Sequence, residues 1–247
     1  LTSRHKNTMK KFNVAVVGAT GMVGESMISI LEERAFPVEQ LTPIASKRSL
    51  GQTVSFRSKD LEIIDLDNFD FKGIDFAFFS AGASVSRDFA PLAAKAGAVV
   101  IDNTSEFRYD DEIPLVVPEV NPSALSGYKV KNIVANPNCS TIQLMIALAP
   151  IHNHTAIKKI NIATYQSISG AGRRAIELLE KQLSDNNTSS KDSDEVFAHN
   201  VIPQIGEFQD NGYTLEEMKL VWETKKILGS NEIEVNAPAV RVPVRVG

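Results

Sequence analysis

Phe12-Asn13-Val14-Ala15-Val16-Val17-Gly18-Ala19-Thr20-Gly21-Met22-Val23-Gly24 is the stretch whose reading decides the fold. It begins as a short β-rich apolar run and ends in a glycine cluster, and residues 25–33 then show helical spacing through Met27, Ile28 and Leu31. A strand, a tight turn and a helix are expected in that order. Glycines let a backbone turn sharply and approach a ligand closely, and a helix start offers unpaired N–H groups and a favourable dipole to an anion. The turn therefore suits a pyrophosphate, and Gly18, Thr20, Gly21, Met22 and Val23 are the candidate contacts. Its G-x-x-G-x-x-G spacing is an extended variant of the dinucleotide fingerprint, and a turn that merely closes a strand-helix unit is the alternative.

Outward from this turn, residues 41–45, 75–79 and 99–102 read as further buried strands and residues 84–96 as a helix. Strands alternating with helices imply a parallel sheet, to which residues 54–57 and 61–66 could add antiparallel or edge strands. At the end of the second strand an NAD enzyme places an acid on the ribose hydroxyl. Here stand Ser46-Lys47-Arg48-Ser49, two cations and two hydroxyls that suit a 2′-phosphate, so Ser46, Arg48 and Ser49 predict NADP. Ser80-Ala81-Gly82, after another buried strand, is expected to border the same cofactor.

The pattern changes after Pro137, with helices expected over 140–149, 174–183 and 215–228 and strands over 157–165 and 240–246. The last strand would put Arg241 and Arg245 on one face. Residues 184–193 read as an exposed polar loop, in which Asn186-Asn187-Thr188 is an accidental glycosylation match. The chain is thus expected to be α/β: a Rossmann-like dinucleotide-binding domain over residues 1–138, then a second domain over 139–247. Leu1 to Thr8 look like a remnant ahead of a natural start at Met9.

A formal net charge of -4 offers no basic surface for nucleic acid, and every apolar run is shorter than the roughly 20 residues that span a bilayer. The expectation is a cytoplasmic protein with no nucleic-acid or membrane partner and no metal. Its one cysteine, Cys139, cannot form an intramolecular disulfide, which fits a reducing cytosol. A lone cysteine is usually a small buried hydrophobe. Cys139, however, follows Asn136-Pro137-Asn138 and precedes Ser140-Thr141-Ile142, at a loop-to-helix junction where the dipole favours the reactive thiolate.

At this point the sequence resembles the aspartate-semialdehyde dehydrogenases. The resemblance rests on residues 18–24, Ile101-Asp102-Asn103-Thr104-Ser105 with Phe107-Arg108, Pro118-Glu119-Val120-Asn121 and residues 136–141. It continues through residues 165–172, residues 200–206, Glu216-Glu217-Met218-Lys219, Glu223-Thr224-Lys225-Lys226-Ile227 and Arg241-Val242-Pro243-Val244. It implies reduction of β-aspartyl phosphate to aspartate β-semialdehyde with NADPH, in the biosynthesis of lysine, methionine and threonine, by a homodimer. It also implies roles: Cys139 as acyl-accepting nucleophile, Gln166 holding the intermediate, Arg241 gripping the substrate carboxylate, Arg108 and Lys219 on phosphate, Asn138 beside the nucleophile and Glu216 at the ammonium. For Glu216 and Lys219 a simple salt bridge on one helix is the competing reading. Asn103, Ser169 and Gly170 would join the cofactor site, the last two near the nicotinamide.

None of His5, His152, His154 and His199 matches the catalytic histidine that the family carries shortly after its Arg-x-Pro-Val segment. The second domain is accordingly expected to be an incomplete α+β substrate and dimerisation domain, and the chain a fragment of a full enzyme. Two rivals remain: an N-acetyl-glutamyl-phosphate reductase, which shares the reaction plan, and a non-catalytic NADP-binding paralogue.

Overall fold

The computed structural model describes residues 10–184 and 195–247. The readings of Leu1 to Thr8, Met9 and His5 and of the Asn186-Asn187-Thr188 loop lie outside the described residues. The chain forms two compact units: one runs to Pro114 and takes in Ser126–Asn136, and the other comprises Leu115–Leu125 and Pro137–Gly247.

The first unit is built on strand β1 (Phe12–Val17), helix α1 (Met22–Glu33) and strand β2 (Val38–Ala45). A β-hairpin, β3 (Thr53–Phe56) and β4 (Lys59–Glu62), and a short strand, β5 (Ile64–Asp65), follow. Then come β6 (Phe76–Phe79), α2 (Ala83–Lys95), β7 (Val99–Asp102) and β8 (Ile133–Ala135). Six strands make one parallel sheet in the order β5-β2-β1-β6-β7-β8. Val14, Ala15, Val16 and Val17 have no exposure, as a parallel strand covered on both faces requires. One core cluster joins Val14, Val16, Ile28, Leu31, Val38, Leu41 and Phe56, so α1 and the hairpin close over β1 and β2.

The region expected as 61–66 is divided: residues 59–62 pair antiparallel with β3, and Ile64 and Asp65 pair parallel with β2 at the sheet edge. The sixth strand, β8, is three buried residues, too short for any period to announce.

In the second unit lie α3 (Cys139–His154), β9 (Lys159–Asn161), β10 (Thr164–Gln166), α4 (Arg173–Ser184), α5 (Leu215–Leu228), β11 (Glu234–Asn236) and β12 (Ala239–Arg241). α3 runs past the expected end at Ala149, through Pro150, to His154. The ring lies on the exposed face, where water can take the carbonyl that loses its amide partner. The expected single strand over 157–165 is two: β9 pairs with β11 and β10 with β12. The opposing chain carries Pro238 at the break, and a proline cannot donate to a ladder.

The expected strand over 240–246 is likewise wrong beyond Arg241. The β10–β12 ladder ends there, although the Ile168 and Ser169 amides still donate to Val244 O and Arg245 O, and the two arginines part: Arg241 is buried, while Arg245 is exposed and pairs with Glu180 at 2.8 Å. Among the described residues no helix is long and apolar enough to cross a membrane.

Candidate active site

In the first unit, three loops leave the carboxyl ends of three adjacent strands. Gly18 follows β1, Ser46 follows β2 and Ser80 follows β6, flanking the point where strand order reverses about β1. Ligands of open α/β sheets bind at such a point. Gly18 has φ +90°, and a Cβ there would stand 3.0 Å from Ser80 Oγ and from the Ala81 amide nitrogen. A Cβ on Gly24 would run into the Gly18 carbonyl, so this glycine lets α1 start against the turn. The Gly18 and Ala19 amides both donate to Ile44 O, tying the turn to β2.

Gly21 is the N-cap of α1 and offers no capping side chain, which leaves the first amides of the helix to an outside acceptor. Thr20 Oγ1 and Ser49 Oγ are 3.1 Å apart, while Ser46, Arg48 and Val23 are exposed. Hydroxyls and a guanidinium beside a backbone cradle without side chains fit a phosphorylated dinucleotide. Ser80, Ala81 and Gly82 form the turn into α2, with Gly82 at φ 102°.

Asn103 follows β7, accepts from Asn136 Nδ2 at 2.6 Å and takes Arg108 Nη2 on its carbonyl at 3.0 Å. Arg108 is buried in this unit close to Asp102. Burial pushes the Asp102 carboxyl up, and bonds from Ser86 and Thr104 and the charge of Arg108 only partly oppose it.

The second unit gathers the remaining candidates. Cys139 is exposed and is the first residue of α3. Asn138 caps that helix: its Oδ1 accepts from the Ser140 amide at 2.9 Å and lies 3.9 Å from Cys139 Sγ. Asn138 Nδ2 donates to Glu216 Oε1 at 2.9 Å, and its backbone amide donates to Glu223 Oε2 at 2.7 Å.

Both acids come from α5, which forms where it does because Thr214 and Glu217 make a reciprocal capping box and Gly229, at φ 64°, ends it. Glu217 also accepts from the Ala239 amide at 3.1 Å, which ties β12 to α5. On β12, Arg241 is the register partner of Gln166. Gln166 Nε2 lies 3.3 Å from Glu216 Oε1, and Lys219 Nζ lies 2.8 Å from Glu216 Oε2.

Glu216 is the hub of this cluster. Burial pushes its carboxyl up, but the bond and charge of Lys219, with bonds from Asn138 and Gln166, hold it below the ordinary glutamate value. The Glu216–Lys219 salt bridge weighed from the sequence is thus present. Burial lowers the Arg241 guanidinium from its ordinary value, and the charges of Glu216, Cys139 and Glu195 oppose this. An arginine so placed remains a cation.

Arg241 Nη1 donates to Ser167 O at 2.8 Å, and a Cβ on Gly170 would come within 2.8 Å of it. Gly170, expected from the resemblance near the nicotinamide, therefore packs on the arginine. Ser169 Oγ pairs with Ser167 Oγ at 2.8 Å. Glu223 was missed by sequence reasoning: it stood in a quoted segment without a role. His152 Nδ1 accepts from the Ile157 amide, and His154 and His199 are exposed. Among the described residues no three His, Cys, Asp or Glu side chains gather as a metal site.

An exposed thiol at a capped helix start, with two cations and two side-chain amides arranged round one carboxylate, can take an acyl group from a small anionic substrate. Residues 13–128 match the family described as semialdehyde dehydrogenase, NAD binding domain, and residues 148–247 match semialdehyde dehydrogenase, dimerisation domain. An aspartate-semialdehyde dehydrogenase of Shewanella violacea is 55% identical over 242 residues, covering 96% of this chain and 72% of that protein. Among solved structures, the aspartate semialdehyde dehydrogenase II of Vibrio cholerae complexed with ASA is 51% identical with a TM-score of 0.92, over 96% of this chain and 71% of that one. The Candida albicans enzyme with NADP is 27% identical with a TM-score of 0.72, over 96% and 69%. With identity this high across both units, the chain belongs to the aspartate-semialdehyde dehydrogenase family.

Proposed function

We propose that the protein interconverts β-aspartyl phosphate and aspartate β-semialdehyde with NADP, through a thioester on Cys139, in the biosynthesis of lysine, methionine and threonine. It does so in the cytoplasm as a homodimer, with residues 1–138 holding the cofactor and residues 139–247 the catalytic and dimerisation surfaces. The single observation that carries the reading is the placing of Cys139: exposed, first in α3, capped by Asn138, in the unit that also assembles Gln166, Glu216, Lys219 and Arg241.

NADPH, when bound, would supply the hydride that reduces the acyl group. Gly18, Thr20, Gly21, Met22 and Val23 hold its pyrophosphate, Ser46, Arg48 and Ser49 its 2′-phosphate, and Ser80, Ala81, Gly82 and Asn103 line the site. Ser169 and Gly170 remain proposed members. The preference for NADP over NAD follows from the absence of an acid at residues 46–49. Candida albicans supplies a relative solved with NADP.

Cys139 Sγ attacks the acyl phosphate carbon; the C–S bond forms, the C–O bond to phosphate breaks and phosphate leaves. Arg241 grips the α-carboxylate with its planar fork, and Glu216 meets the α-ammonium. Lys219 and Arg108 take phosphate, and Gln166 and Asn138 hold the acyl group by hydrogen bonds that add no charge. After reduction, the thiohemiacetal returns its electron pair to sulfur as the aldehyde leaves.

The test is phosphate-dependent NADP reduction by the protein expressed from its complete reading frame, with aspartate semialdehyde and N-acetyl-glutamate semialdehyde compared side by side. Preference for the aspartyl aldehyde is expected. Preference for the other would move the protein to the reductase of N-acetyl-glutamyl phosphate, and inactivity on both would leave a non-catalytic NADP-binding protein.

A further inference from the structure

We infer that Glu223 is a positioning residue for the nucleophile, an inference that rests on the reading of Cys139 as the acyl acceptor. Glu223 has no exposure, on the face of α5 that also carries Lys219 four residues and Glu216 seven residues before it. A glutamate is rarely buried so fully without a fixed partner. Its Oε2 accepts from the backbone amide of Asn138 at 2.7 Å, across 85 residues of sequence. The same Asn138 donates through Nδ2 to Glu216 Oε1 and accepts from the Ser140 amide on Oδ1. Two carboxylates of one helix therefore pin both the backbone and the side chain of the residue immediately before Cys139.

The consequence is geometric. The Asn138 amide lies outside the α3 ladder, and a charge-assisted bond is about twice as strong as a neutral one. Without it, the cap would keep only its side-chain bonds and the Ile142 amide on its carbonyl, and the first turn of α3 would be freer to fray. A thiolate gains from the helix start only while that turn is formed. Glu223 acts on the nucleophile through the Asn138 amide. Its companion Glu216 cannot substitute, because Glu216 holds the side chain and not the amide.

The protein's single cysteine makes the test site-specific. Alkylation of Cys139 by iodoacetamide, followed by intact mass with no substrate present, reports the thiolate directly, and steady-state rates report turnover. Glu223→Ala is expected to lower kcat about 30-fold, which is about 2 kcal/mol, with KM for aldehyde and for NADP within about twofold. Alkylation at neutral pH should slow about tenfold.

Glu223→Gln, which keeps an acceptor oxygen but loses the charge, should recover about half of each loss in free energy, leaving kcat about 5-fold below wild type. Glu223→Asp, which keeps the charge but withdraws the acceptor, should resemble Glu223→Ala. If the alanine variant fails to fold, the glutamine and aspartate variants decide the question. Wild-type kcat and alkylation in folded Glu223→Asp would overturn the inference, and so would equal losses in the glutamine and alanine variants. A wild type that alkylates normally but turns over neither aldehyde would defeat the functional reading alone, since the alkylation comparison stands without substrate.

Discussion

Gly170→Ala is a small perturbation with a calculable effect. A Cβ at this position would stand 2.8 Å from Arg241 Nη1, against a comfortable contact of about 3.5 Å, so the guanidinium must retreat by about 0.7 Å. Nη1 is the far end of a flexible side chain, and the fold should absorb that shift with little loss of stability. Recognition should not. Arg241 is 9% exposed, its guanidinium is fixed by a 2.8 Å bond to Ser167 O, and it works as a carboxylate grip only in the right plane. Losing one charge-assisted hydrogen bond costs about 1.5–3 kcal/mol, or about 10- to 160-fold in binding.

The assay varies aspartate semialdehyde, phosphate and NADP separately while following NADP reduction, with thermal melting of the same samples. KM for the aldehyde should rise by that factor, KM for NADP should rise by less, and the melting temperature should hardly move. An unchanged aldehyde KM would refute the reasoning. A rise confined to the NADP KM would instead make Gly170 a cofactor residue only.

Gly24→Ala should behave in the opposite manner. Its Cβ would meet the Gly18 carbonyl, which is backbone and cannot swing aside, so overpacking of about 1–3 kcal/mol should lower the melting temperature and weaken NADP binding together. A pH titration of stability should separate two buried acids. Glu216 is held below its ordinary value, so its contribution is complete above that value and lost as pH falls through the folded one; Glu216→Gln should flatten the acid limb of the melting curve. Asp102 has the reverse sign: its raised value penalises the folded state above it, and the penalty is relieved as pH falls toward the ordinary value. Asp102→Asn should therefore lose part of the relief that wild type gains on mild acidification, as read by melting between the two values.

The strand, turn and helix at residues 12–33 were legible because the apolar period changes across a glycine cluster, two local signals that agree. Cys139 was legible as a helix-start thiol for the same reason: Pro137 and Asn138 announce the junction. What the sequence did not carry were facts made by pairing. β8 is three residues long, and its strand nature depends on β7 beside it. The register that sets Gln166 beside Arg241 joins residues far apart in the chain, and Pro238, which divides one expected strand into two, acts from the opposing side. Glu223 reads as a surface charge on an amphipathic helix until α5 is laid against the start of α3. Arg245 failed for a related reason: alternation along residues 240–246 is real, but no partner strand continues past Arg241 to use it.

The central claim is that Cys139 accepts the acyl group. The most direct measurement mixes the protein with β-aspartyl phosphate in the absence of NADPH, quenches in acid and reads intact mass, peptide map and released phosphate together. One aspartyl group per chain on Cys139, with one phosphate released and neither seen in Cys139→Ala, is the predicted result. Phosphate release without an adduct, or an adduct on any other residue, would contradict the account.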